Sequence, residues 1–226
     1  MGPTLNIHGL SQLLDWATTP GSPPTFSPFG ADPCLLFEAD GAGPPAVEQA
    51  RIADWLRQLP CPTLGIATEA GTPLAQACDV LVASAAEAAP LVENIRRNPV
   101  AASVLVQTLR LTENLPVLEA LDVESLAYAT LQGGAEFKRW LEKNRAASPA
   151  VPTDTGPAVI IQRRDDSLLL ELNRASNRNA LNVEMRDALV EALQLVLADD
   201  SIRVVKLSGR GKCFSVGGDL TEFGSL

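Results

Sequence analysis

Lys212-Cys-Phe-Ser-Val-Gly-Gly-Asp-Leu220 follows a strand candidate over residues 202–207 and a turn, Ser208-Gly-Arg-Gly211. Its two adjacent glycines have no Cβ, so they reach positive φ cheaply and let a ligand approach the backbone closely. Backbone N–H groups exposed in such a turn could hold a developing oxyanion if they are preorganised. A plain tight turn has the same appearance. Gly209-Arg-Gly-Lys212 likewise reads either as a phosphate cradle or as a solvated turn, and it lacks the spacing of a P-loop.

Outward from this stretch the pattern is regular. Asn182 is placed to cap a helix whose apolar stripe is Met185, Ala188, Leu189, Ala192, Leu193 and Val196, ending before Asp199-Asp-Ser201. Residues 159–163 and 168–172 are apolar runs flanking Arg164-Asp-Asp-Ser167, which predicts a hairpin. The order is strand, strand, helix, strand, glycine-bearing turn. Upstream, Ala146-Ala-Ser-Pro-Ala-Val-Pro-Thr-Asp-Thr-Gly-Pro157 reads as a linker. The expected organisation is therefore a domain over 1–150, a linker over 151–157 and a second domain over 158–226.

The first domain reads as α/β. Short strands are expected at 34–38 and 63–67, with a helix over 46–59 carrying Ile52, Trp55, Leu56 and Leu59 at helical spacing. A short helix at 74–78 runs into an apolar segment at 80–83. From Pro90 to Arg145 the pattern is helical, punctuated at Asn98-Pro99, Asn114-Leu-Pro116 and Gly133-Gly134. Residues 1–32 read as irregular apart from a helical candidate around 10–16, and the single histidine, His8, falls in a mobile stretch.

Composition narrows the classes. Of 226 residues, 46% are hydrophobic and 20% charged, which fits a globular protein. There is neither a long apolar run nor a signal-peptide pattern, so a cytoplasmic protein with no membrane contact is expected. The net charge of −9 argues against nucleic acid. Residues 158–226 hold nine Lys/Arg against ten Asp/Glu, whereas the remainder holds nine against seventeen, so a phosphorylated ligand favours the second domain. Cys34, Cys61, Cys78 and Cys213 are far apart and mostly in apolar runs, where a free thiol behaves as a small hydrophobe. With one histidine, a His-based triad or His-rich metal site lacks raw material, and no metal is expected.

Four segments occur in register: Leu172-Asn-Arg-Ala-Ser-Asn-Arg-Asn-Ala-Leu-Asn182, Glu184-Met-Arg-Asp-Ala-Leu-Val-Glu-Ala-Leu193, Val204-Val-Lys-Leu-Ser-Gly209 and Lys212 to Leu220. Together they resemble the N-terminal part of the crotonase superfamily, the enoyl-CoA hydratases and isomerases, over about a third of the chain. The resemblance implies a crotonase-like ββα spiral in the second domain. It implies an acyl-CoA ligand whose thioester carbonyl is polarised by two backbone N–H groups, the first at Gly218. It places Val216 and Gly217 in the CoA pocket, with the Arg178-Asn-Ala-Leu181 loop, including Asn179 and Ala180, as a CoA-contacting segment. Arg174 and Arg178 are candidates for CoA phosphates or for solvated surface charges.

No cofactor is implied beyond the coenzyme A of the substrate. Trimers or paired trimers are expected by family analogy. The family's second donor and its catalytic glutamates lie downstream of the Gly-Gly-Asp turn, and this chain ends at Leu226. The expectation is a catalytically incomplete front portion of an enoyl-CoA hydratase/isomerase-like protein, completed by further sequence or a companion chain. A non-catalytic CoA-binding or assembly subunit, and an α/β interaction module, are the alternatives. Residues 61–84 also look similar to a later strand–helix–strand of the family, but Glu69-Ala-Gly-Thr-Pro73 stands where its Gly-Gly donor belongs, so the first domain reads as an eroded crotonase-like domain.

Overall fold

The structure, a computed structural model, describes residues 5–19, 26–40, 44–145 and 154–223. It divides into two compact units, Met1–Lys138 and Arg139–Leu226. Residues 151–153 of the expected linker lie outside the described residues, and residues 154–157 within them.

The first unit is built on strands β1 (Ile7–His8), β2 (Leu35–Glu38), β3 (Thr63–Ile66) and β4 (Val80–Val82). They form an all-parallel sheet in the order of the chain. Helices α1 (Leu10–Thr18), α2 (Ala46–Gln58) and α3 (Pro73–Ala77) connect them, as parallel strands require crossovers. Successive β2 side chains point to opposite faces. Leu35 and Phe37 join Leu13, Ile52, Leu56, Leu74 and Ala77 in one apolar cluster under the three connecting helices. Leu36 turns the other way, with Leu64 and Val82, onto Ala88 and Val92 of α4 (Ala85–Arg97). Both faces of the sheet are covered, the usual state of a parallel sheet.

Helices α5 (Pro99–Thr112), α6 (Val117–Gln132) and α7 (Ala135–Arg145) follow, broken where Asn98-Pro99, Asn114-Leu-Pro116 and Gly133-Gly134 predict. Glu136 of α7 accepts from the N–H groups of Val100 and Ala101 at 3.0 and 2.8 Å, capping the start of α5. At the far end of α5, Arg110 donates to both oxygens of Asp79 and to the carbonyls of Arg57, Leu59 and Cys61. Asp79 also accepts from the Thr63 N–H at 2.7 Å and hydroxyl at 2.9 Å. One ion pair thus fastens α5 to β3 and β4.

His8 overturns an expectation. It lies in a strand, 8% exposed, with its ring edge-on to Trp16 at 5.0 Å and Phe26 at 6.1 Å. A two-residue strand carries too little periodicity to announce itself in sequence; here its pairing with Leu36 and Phe37 defines it.

In the second unit β5 (Val159–Arg164) and β6 (Ser167–Leu172) form the expected hairpin. Helix α8 (Val183–Ala198) then crosses to β7 (Val204–Gly209), which pairs parallel to β6. Asn182 caps α8, its Oδ1 accepting from the Met185 N–H at 2.9 Å. Leu168, Leu170 and Leu172 pack against Met185 and Ala192, flanked by Ala188, Leu189 and Val196. Leu193, expected in that stripe, is instead 47% exposed on the helix flank. Ser208 and Gly209, expected in the closing turn, belong to β7, because Gly209 registers with Leu172 and the Arg210 N–H donates to the Leu172 carbonyl. The α/β class is as the sequence implies. No helix among the described residues is long and apolar enough to cross a membrane.

Candidate functional site

The loops after β6 and β7 build the site. The first leaves β6 through a 3-10 turn, Ala175–Asn177, and enters α8. Arg178 and Asn179 are both left-handed, with φ of 50° and 52°. Asn tolerates that region; for Arg it is uncommon. The strain is offset by the Asn179 side chain, which is wholly buried. Its Oδ1 accepts from the Arg174 N–H at 2.9 Å, and its Nδ2 donates to the carbonyls of Arg210 at 2.9 Å and Cys213 at 3.1 Å. One amide closes the first loop on itself and ties it to the second.

Contact between the loops is equally close at Gly209, where an added Cβ would stand 2.4 Å from the Phe214 carbonyl oxygen. Ser215 Oγ donates to the Asn179 carbonyl at 2.6 Å and accepts from the Gly217 N–H at 3.1 Å. This local turn holds Gly217 at φ 89°. The Leu181 N–H then donates to the Gly217 carbonyl at 2.8 Å, and the Asp219 N–H to the Leu181 carbonyl at 2.9 Å. Leu181 and Gly218 are therefore bridged in parallel. In such a bridge the peptide groups on either side of Gly218 face Leu181, and the N–H of Gly218 itself points away. It has no protein partner among the described residues. Gly218 is exposed, and the Phe223 ring lies 3.5 Å from where its Cβ would be.

The carboxylates beside this N–H are committed elsewhere. Asp219 is buried; its Oδ1 accepts from the Thr221 N–H and hydroxyl at 2.9 and 2.7 Å, and its Oδ2 from Asn177 Nδ2 at 2.9 Å. Glu222 accepts from the Val183 N–H at 2.9 Å, in the first turn of α8.

The residues singled out from sequence thus fall into three groups. Val216, Gly217 and Gly218 are brought against the 174–181 loop, with Val216 about half exposed beside the equally exposed Phe214. Asn179 and Ala180 are buried, so only their backbone could meet a ligand; the Ala180 N–H already donates to the Asn177 carbonyl at 3.0 Å. The two arginines part company. The Arg174 guanidinium binds both oxygens of Glu184, at 2.8 and 2.9 Å, and the carbonyls of Gly156 and Asn173. Arg178 is exposed and makes no side-chain hydrogen bond or ion pair among the described residues.

Asp154 accepts from Ser176 Oγ at 2.6 Å and N–H at 3.0 Å. These bonds, with attraction from Arg174 and Arg210, hold its carboxyl below the usual range. It answers the charge of those two arginines, and among the described residues it leaves the Arg178 and Lys212 side chains without a hydrogen bond or ion pair. The sequence singles out Lys212 only within a phosphate cradle and gives no role to Ser215 or Asn177. Ser215-Val-Gly217 and Asp219-Leu-Thr221 carry the signal, since Ser and Asp accept from the N–H two residues on. No group of three or more His, Cys, Asp or Glu side chains is placed to hold a metal ion among the described residues.

Known proteins match this same region. Residues 167–225 fit the family model described as enoyl-CoA hydratase/isomerase. Over these residues the chain is similar to the enoyl-CoA hydratases and isomerases of the crotonase superfamily. The enoyl-CoA hydratase EchA19 of Mycobacterium tuberculosis is 39% identical over 30% of this chain and 25% of its own. The 2,3-dehydroadipyl-CoA hydratase of Escherichia coli is 41% identical over 28% of this chain and 25% of its own. An enoyl-CoA hydratase crystal structure from Mycobacterium tuberculosis shares 40% identity over 29% of each chain, with a TM-score of 0.28. The chain spans about a quarter of the length of the curated relatives it matches.

Proposed function

We propose that the C-terminal unit binds an acyl-CoA thioester and presents the Gly218 N–H to its carbonyl oxygen, as half of an oxyanion hole. The supporting observation is that N–H: without a protein partner among the described residues, exposed, and aimed by a bridge whose other peptide groups are occupied by Leu181. Removing a proton beside a thioester carbonyl, or adding water to its conjugated double bond, places negative charge on the oxygen. A donor fixed where that charge develops lowers the barrier by about 3 kcal/mol. Val216 and Gly217 would line the pantetheine, and Arg178 with Lys212 would meet the CoA phosphates, where a cationic donor forms charge-assisted bonds. No cofactor is required apart from the CoA of the substrate.

General acid and base are a separate matter. Asp219 and Glu222 are both tied to neighbouring backbone, so neither is positioned as a proton carrier. We therefore read residues 158–226 as the acyl-CoA-binding front of a hydratase/isomerase-like unit. Its second N–H donor and its carboxylates would come from a further segment or companion chain, in an oligomer of the trimeric kind expected by analogy. The first unit we read as a non-catalytic, crotonase-like relic.

The test is calorimetric titration with crotonyl-CoA, butyryl-CoA and free CoA. Gly218→Ala keeps the N–H and meets Phe223 only at ordinary contact distance, so binding should survive. Gly218→Pro removes the N–H, and acyl-CoA should weaken about tenfold while free CoA does not. Equal loss for both ligands, or none for either, would overturn the assignment. A folded protein that binds CoA normally but discriminates no thioester would support a CoA-binding subunit, favoured so far by the committed carboxylates.

A further inference from the structure

Helix α6 is apolar in composition and yet has no buried residue. Its inner side is Ala120, Val123, Ala127 and Leu131, spaced to lie on one face and all partly buried. Val117, Leu118 and Leu121 form a second apolar stripe at positions i, i+1 and i+4. They are 74, 77 and 52% exposed. A helix apolar on two sides is ordinarily a covered one, and contiguous patches of this kind mark interaction surfaces.

Charge identifies the cover. Glu119, Asp122 and Glu124 are the only ionisable groups of opposite or like sign on α6 apart from Tyr128, and α6 has no Lys, Arg or His. On the 100° wheel Asp122 borders the stripe beyond Leu118, and Glu124 borders it beyond Val117. The cation of the preceding helix, Arg110, is occupied by Asp79 and three carbonyls. A second α6 would bring carboxylates against carboxylates, and an anionic lipid surface would meet the same repulsion. A helix whose apolar stripe is flanked by Lys or Arg meets apolar with apolar and acid with base, the helix-in-groove mode of recognition.

We propose that the outer face of α6 is a docking surface for a basic amphipathic helix of a partner protein. The reading is independent of the acyl-CoA site.

The probe is a fluorescein-labelled 18-residue peptide with leucines at helical spacing and lysines on both flanks, added to the full chain and followed by anisotropy. Controls are its scrambled sequence and a Leu/Glu counterpart. The ordered Lys peptide should bind at least about tenfold tighter than either control and weaken as salt rises. Leu121→Glu, made on an exposed side chain and checked by circular dichroism, should weaken it about tenfold. The triple charge reversal Glu119→Lys, Asp122→Lys and Glu124→Lys should transfer preference to the Leu/Glu peptide. Equal binding of ordered and scrambled Lys peptides would overturn the proposal, as would indifference to Leu121→Glu. So would a peptide-free dimer that Leu121→Glu dissociates, because the occupant is then a second copy.

Discussion

The two sheets of this chain differ in how completely they are covered. In the first unit β2 and β3 sit between neighbours on both edges, under helices on one face and α4 on the other. In the second, α8 covers one face of β5 and β6, while β7 is an edge strand whose Leu207, registered with buried Leu170, is 48% exposed. The apolar residues of β7 and the flank of α8 at Val190, Leu193 and Leu197 are patterned for burial that this unit alone does not supply. Two apolar clusters hold the first unit. The second has one such cluster and, beside it, the lock between its two loops, which is also where the candidate site lies.

If so, the largest effect of a single substitution should fall on the loop junction. Gly209→Ala drives a methyl into the Phe214 backbone, which cannot swing aside as a side chain could. It should cost about 3 kcal/mol or more and release the 173–181 loop. Amide exchange in β6 and β7 should accelerate, while near-ultraviolet dichroism from the Trp16–Trp55 cluster of the first unit persists. Loss of both signals together would break the comparison.

Arg110→Ala is the counterpart in the first unit. It leaves the part-buried Asp79 without its cation and three carbonyls without a donor. We expect a loss of about 3 kcal/mol by denaturant titration, with Asp79→Asn costing less because the Thr63 bonds can persist.

A smaller effect separates the two arginines of the site. Arg178→Ala should weaken acyl-CoA binding about tenfold at low salt with no change in stability, because the side chain is exposed and has no hydrogen bond or ion pair among the described residues. Arg174→Ala should do the reverse, costing about 1 kcal/mol of stability, since its partner Glu184 is largely exposed. If Arg174→Ala alone impairs binding, the division of roles is wrong.

Near neutral pH the last effect is silent: it is a pH dependence confined to the first unit and to alkaline conditions. Burial pushes the Cys34 thiol up to about 11 and the Cys61 thiol up to about 12, from 9.0. Because the folded values are raised, the stabilisation is complete below pH 9 and is lost as pH rises through 11 to 12. Thermal melts of the first unit should fall over that window, and Cys61→Ala should flatten the fall. A drop centred below pH 9 would exclude the thiols as its cause.

Sequence made much of this legible, and the misses have physical reasons. The hairpin, the Asn182 cap and the breaks at Asn98-Pro99 and Gly133-Gly134 rest on local rules, and each is found in place. Glu136 capping a helix thirty-five residues away rests on no local rule and was invisible. The order of His8 comes from β2 and an aromatic cluster, neither of which its own neighbours in sequence announce. Gly209 was read as a turn because glycine usually marks one; here it is a strand residue whose missing side chain makes room for Phe214. At the site, spacing brought out Gly218 and its neighbours, but which arginine is free depends on Glu184, ten residues further along.

Asn179 has a kinetic consequence. Its side chain is satisfied only when residues 174, 210 and 213 have all arrived, and the last two are separated from it by the whole of α8 and β7. Closing that span costs loop entropy before any of the three bonds repays it. The Gly218 N–H should therefore acquire its direction late in folding, after the hairpin and helix are formed. A chain stalled before that point would hold native secondary structure and no oxyanion donor at all.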